Sequence, residues 1–139
     1  MGMMRMVIGA ACGALALVGF ATSGAAQELT KPKVIAVQVF AQWCEPCTKM
    51  EEAIGLLADR FDGAPILGIV LDVTDLSTRY HAELLASALD LDALYREKKG
   101  TLGEIYLLDA ESKALIETIT EADDFEIMSA KVRNALASR

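Results

Sequence analysis

The chain has 139 residues, 53% of them hydrophobic, with 13 Lys+Arg against 20 Asp+Glu for a formal charge of −7, and three cysteines. That length suits a single domain. Its acidic balance repels phosphate backbones and anionic headgroups, which excludes nucleic acid and peripheral membranes as expected partners, and its abundant Leu, Ile and Val exclude a disordered chain.

The first 26 residues differ in character from the rest. Arg5 is their one charge, residues 7–21 are apolar, and residues 22–26 are all small. This order predicts a secretory signal removed between Ala26 and Gln27, with Gly24 and Ala26 three and one residues before the cut. An uncleaved anchor is the other reading, but the apolar part is shorter than the roughly 20 residues a bilayer-spanning helix requires. Cys12 leaves with the signal. The mature chain, 27–139, is then one domain, periplasmic or secreted and without a membrane span, in which Cys44 and Cys47 meet an oxidising compartment. There a cysteine pair either locks as a structural disulfide or turns over as a catalyst.

Residues 34–40 are almost continuously apolar and β-branched, as expected of a central strand buried on both faces. From Thr48 the period changes. Met50, Ala53, Ile54, Leu57, Ala58 and Phe61 fall on one face opposite Lys49, Glu52, Asp59 and Arg60, which predicts an amphipathic helix covering a sheet. Asp62-Gly63-Ala64-Pro65 ends it. Residues 66–73 read as a second buried strand. Leu84, Leu85, Ala88 and Leu89, continued by Leu91, Leu94 and Tyr95, predict a second helical region that stops at Lys98-Lys99-Gly100. Residues 105–108 and 115–119 are short strands joined through Asp109-Ala110-Glu111-Ser112, close enough for an antiparallel hairpin. Phe125, Met128, Val132, Ala135 and Leu136 share one face of a last helix, with Asp123 as its candidate cap. The order is βαβαββα, its first two strands parallel because a helix crosses between them. The predicted class is α/β with a mixed four-stranded sheet flanked by helices.

The chemistry is concentrated in Trp43-Cys44-Glu45-Pro46-Cys47, placed where the first strand gives way to the first helix. Cysteines at i and i+3 on a first helical turn can bring their sulfurs within bonding distance. Pro46 suits that turn, whose amides lack helical partners in any case. The helix N-terminus favours negative charge and lowers the pKa of the leading thiol, so Cys44 is the expected nucleophile. Cys47 would resolve the mixed disulfide by attacking Cys44.

The run from Val39 through Trp43-Cys44-Glu45-Pro46-Cys47 to Lys49-Met50 resembles the thioredoxin-like superfamily, and element order extends the resemblance over nearly all of the mature chain. It implies a thioredoxin-like fold and thiol–disulfide exchange with protein thiols and disulfides. It also implies an upstream electron donor, no bound cofactor and a monomer. The Glu45-Pro46 dipeptide looks like that of exported reducing members, including those that keep cytochrome c haem-attachment cysteines reduced. A carboxylate beside Cys44 opposes the thiolate and partly offsets the helix dipole, which points to a reductase. The plainer reading is that Glu is simply favourable in a first helical turn. Trp43 is expected to shield Cys44 and contact the partner.

Two features depart from that family's pattern. Where its members usually carry a cis-proline facing the cysteine pair, this chain has Gly100-Thr101-Leu102-Gly103-Glu104-Ile105, so trans geometry and an altered groove are expected near Gly103. Alternatively, Gly103 supplies a close backbone approach of its own. Gln38 stands six residues before Cys44, where many thioredoxins have a buried Asp. A carboxamide hydrogen-bonds but is no general base at neutral pH. A partner-specific enzyme is one consequence. The other is a non-catalytic binding or Cu(I)-delivery module using the same cysteines, with His81 as a third ligand; a structural zinc site lacks ligands. Asp72, Thr74 and Asp75 follow the second strand on the cysteine side, as ligand groups or, more plainly, as a helix cap.

Overall fold

The computed structural model describes residues 30–139, so the expected signal and its cleavage point lie outside the described residues. In chain order come β1 (Val34–Phe40), α1 (Glu45–Arg60), β2 (Ile66–Asp72) and α2 (Leu76–Ala88), then α3 (Asp92–Lys98), β3 (Glu104–Asp109), β4 (Leu115–Thr120) and α4 (Phe125–Ala137). The strands form one sheet in the order β2-β1-β3-β4. β1 runs parallel to β2 and antiparallel to β3, and β3 pairs antiparallel with β4. The α/β class and the mixed four-stranded sheet are as expected.

Alternation along β1 divides the core in two. Ile35, Val37 and Val39 pack with Ala82, Ala86, Leu91 and Tyr95 from the α2 and α3 side. Val34 packs with Met50, Leu57, Met128 and Val132 on the other face, beneath α1 and α4. A strand with helices on both faces has little polar side to spare, which is why β1 is apolar but for Gln38. Tyr106 on β3 is buried, its hydroxyl donating to Glu104 at 2.7 Å and its ring under Lys98. Burial foremost, and then the bond to Glu104, push its pKa far above the usual tyrosine value.

Several expected details are corrected. β2 is an edge strand, not one buried on both faces. Leu67, Ile69 and Leu71 point into the α2 side, whereas Gly68 is exposed and Val70 is 53% exposed. A strand at the sheet's edge needs only one covered face to stay docked. The second helical region is two helices, parted at Asp90, whose φ of 57° a helix cannot contain. Ala82 and Ala86 form its buried face, and Leu84 and Leu85 are exposed. Small side chains let α2 lie close on the sheet, which turns the larger leucines outward. Ala58 of α1 is exposed as well. At the last helix the cap is Asp124, which accepts from the Ile127 amide at 2.8 Å. Asp123 instead accepts from the Thr120 amide and pairs with Lys131, both at 2.8 Å, fastening the turn from β4 into α4.

Candidate functional site

The motif occupies the β1–α1 junction, at the C-terminal end of the sheet's parallel half. α1 begins at Glu45, three residues ahead of its apolar periodicity, because the cap and not the core sets the start. Cys44 is the N-cap residue, extended at φ −91° and ψ 108°, and Pro46 lies in the first turn. The Cys47 amide donates to Cys44 Sγ at 3.2 Å. A sulfur therefore takes the place usually held by a Ser or Asp oxygen, facing amides that no helical carbonyl reaches. The two cysteines are joined in a disulfide with Cα atoms 5.3 Å apart. Cys44 retains 6% exposure and Cys47 none.

Neighbouring residues hold this turn in place. The Gln42 amide donates to Thr74 Oγ1 at 2.9 Å, and Trp43 Nε1 donates to the Thr74 carbonyl at 3.0 Å. Asp72 accepts from the Thr74 amide at 2.8 Å. The loops leaving β1 and β2 are thus stitched together, with the Trp43 side chain held on Thr74 and 63% exposed. Thr74, read from the sequence with Asp72 and Asp75 as a ligand group or a helix cap, is instead the clamp between the two loops; a Thr after a strand carries no signal of what its carbonyl will accept. Asp75 takes the plainer of its two readings. It caps α2 reciprocally with Thr78, whose amide it accepts at 2.9 Å, and that bond foremost holds its carboxyl below the usual range.

Glu45 is exposed and pairs with Lys49 one turn on, at 2.9 Å. The hydrogen bond and charge of Lys49 lower the pKa of Glu45 and raise that of Lys49. Much of the negative charge expected to act on Cys44 is therefore compensated on the same helix face.

Gly103 lies directly against the motif. It is buried at φ +82°, and a Cβ added there would stand 2.6 Å from Pro46 Cβ. The trans geometry expected here is observed at every peptide bond among the described residues, and so is the close backbone approach given as the alternative. Gln38, 5% exposed, sits on β1 between Val70 and Ile105, and its Nε2 has no hydrogen-bond partner among the described residues. His81 lies on exposed α2 with its ring beside Tyr80. No three His, Cys, Asp or Glu side chains among the described residues are grouped to hold a metal, so the reading of His81 as third ligand is not sustained.

From Trp43 an open groove of about 840 Å³ runs along α2, lined by Leu76, Arg79, Tyr80, Tyr95 and Lys99. Leu76, Tyr80 and Leu84, four residues apart, are 83%, 61% and 52% exposed. This stripe is offset from the Ala82–Ala86 face.

No protein-family model and no curated protein matches the sequence. Among solved structures, the chain is similar to a thiol:disulfide interchange protein of the thioredoxin family from Chlorobium tepidum. The TM-score is 0.50 and the identity 16%, over 75% of this chain and 80% of that one. The fold is thioredoxin-like. A mutant thioredoxin from Halobacterium salinarum is also similar, at 17% identity over 76% of each chain with a TM-score of 0.46. At these identities the likeness is one of fold.

Proposed function

We propose that the protein is an exported thiol–disulfide oxidoreductase that reduces disulfides of partner proteins. The observation that carries the exchange chemistry is the Cys47 amide donating to Cys44 Sγ at the N-cap of α1, and the reducing direction is supported by the Glu45-Pro46 dipeptide between the cysteines. In the reduced protein the same amide and the positive end of the helix stabilise a Cys44 thiolate. Cys44 also has what exposure the pair retains. Its thiolate attacks a partner disulfide, forms a mixed disulfide and expels one partner thiolate, which takes a proton. Cys47, deprotonated, then attacks Cys44 Sγ, closing the internal disulfide and releasing the second partner thiol. The balance is one partner disulfide reduced for one internal disulfide formed, and a dithiol donor of the same compartment restores the pair.

The groove beginning at Trp43 offers an apolar and aromatic wall beside the reacting sulfur, where a partner segment would lie. Export rests on the character of residues 1–26. A Cys47→Ser variant is expected to accumulate mixed disulfides through Cys44 that a Cys44→Ser, Cys47→Ser double variant lacks. Their absence from a native extract would overturn the reading. The reduction potential decides direction: a value near thioredoxin's, around −270 mV, fits a reductase and one near −120 mV an oxidant.

A further inference from the structure

The two outer strands of the sheet differ in how their backbone is covered. On β4, side chains take up main-chain groups. Glu117 Oε1 accepts from the Thr118 amide at 3.0 Å, Lys131 Nζ donates to the Thr118 carbonyl at 2.7 Å, and Asp123 accepts from the Thr120 amide at 2.8 Å. β2 has no such cover. The Val73 amide donates to the Phe40 carbonyl and the Pro65 carbonyl accepts from the Val34 amide, so odd-numbered residues here turn their backbone groups toward β1. The register with β1 is unbroken from Ile66 to Asp72, which carries that alternation along the strand and points the groups of Gly68 and Val70 outward. Among the described residues no strand pairs there and nothing bonds to them. Neither charge nor proline interrupts residues 66–71, Gly68 is exposed and Val70 is 53% exposed. Edge strands that stay single are blunted by charges, prolines or bulges; an apolar edge with free donors and acceptors is a template for another strand.

We propose that β2 pairs antiparallel with β2 of a second copy, joining two sheets into one, in place of the monomer expected from the resemblance. The two-fold axis passes between Ile69 of one copy and Ile69 of the other. Gly68 then stands opposite Val70 of the second copy, and each exchanges its N–H and C=O with the other. Self-complementarity of the strand selects a second copy as the occupant. A Cβ added at Gly68 would meet no heavy atom within 4 Å, and the Val70 side chain of the other copy covers that open place from the same face. A slip of one residue would turn Val70 to the wrong face. Asp72, the one charge of the strand, falls opposite Ile66, so the two carboxylates lie at opposite ends of the joint. Both Cys44 turns stay open at opposite ends of the joined sheet. No cysteine takes part, so the dimer stands or falls separately from the proposed exchange reaction.

One strand pair is a small interface, for which a dissociation constant on the order of 10–100 µM is expected. Sedimentation equilibrium of the purified full chain across that range should show monomer and dimer in exchange. Val70→Lys, at an exposed position, should weaken the dimer at least about tenfold by setting a charge in each half of the joint. Cross-linking reads the register independently. With Cys12, Cys44 and Cys47 replaced by Ser, Ile69→Cys should form an intermolecular disulfide on mild oxidation, because its non-hydrogen-bonded pair brings the Cα atoms to about 4.5 Å. Ile66→Cys in the same background, its copies far apart, should not. A chain still monomeric at about ten times the expected constant overturns the proposal and leaves the edge to residues 1–29 or to another protein. A dimer as tight in Val70→Lys as in the wild type overturns β2 as its seat, and equal cross-linking at positions 66 and 69 overturns the register.

Discussion

Gly103 and Gln38 show how much of the site depends on single atoms. At Gly103 both the left-handed backbone and the contact with Pro46 forbid a side chain. Gly103→Ala should cost roughly 2–4 kcal/mol, combining backbone strain with overpacking, measured by urea denaturation. The displaced Pro46 would also disturb the turn that holds Cys44, so slower reaction of the reduced protein with a small disulfide is expected alongside. Gln38 errs in the opposite direction. Replacing its unpaired, buried carboxamide by Leu should raise stability by about 1 kcal/mol, since nothing is lost but an unmet hydrogen bond. A destabilised Gln38→Leu protein would mean that the amide is satisfied in the free protein after all.

At the scale of elements, what sequence periodicity disclosed was set by burial. β1 and α4 were legible because each lays its apolar period against the core. β2 and α2 were misread for a shared reason: apolar content does not say which neighbour an element will meet. β2 came to the edge, leaving Val70 exposed, and α2 chose its alanines over its leucines as the contact face. The motif itself was legible because it depends on local geometry, a cap and a first turn, which three residues determine. Its clamp through Thr74 was not, since that bond joins loops 31 residues apart. The Asp75 cap is expected to bear on both. Asp75→Ala should cost about 1 kcal/mol in a denaturation experiment and leave α4 unaffected. Frayed at its start, α2 would also loosen the Thr74 loop, so Trp43 fluorescence should become more accessible to a neutral quencher.

For the whole molecule, the disulfide closes so short a loop that loop entropy allows it only about 2 kcal/mol of stabilisation. The folded state is therefore expected to survive reduction, as a cycling pair requires. Urea titrations with and without dithiothreitol should differ by no more than that amount, and unfolding on reduction would show a structural bridge instead. Acid acts more broadly. The Asp75 carboxyl is lowered by the Thr78 amide, and that of Asp109 by the Ser112 hydroxyl and amide. Burial alone would raise Asp123, but the hydrogen bonds from Lys131 and Thr120 outweigh it and leave it lowered. Carboxyls depressed in the folded state contribute stability that is complete above their unfolded values and is lost as pH falls through the folded ones. Stability should hold down to about pH 5 and decline below about pH 4, read as the urea midpoint against pH.

The sequence by itself determined the α/β order, the strand that would be central and the chemistry of Trp43-Cys44-Glu45-Pro46-Cys47. These are properties of residues close together in the chain, whose spacing fixes period, cap and ring closure before any tertiary contact forms. Packing settled that Gly103 lies on Pro46, that Trp43 donates to the Thr74 carbonyl, and that Gln38 is buried with its donor unmet. Such facts depend on which surfaces meet when helices settle on a sheet. Packing chooses among faces that periodicity leaves equally apolar, and it alone leaves a space between them.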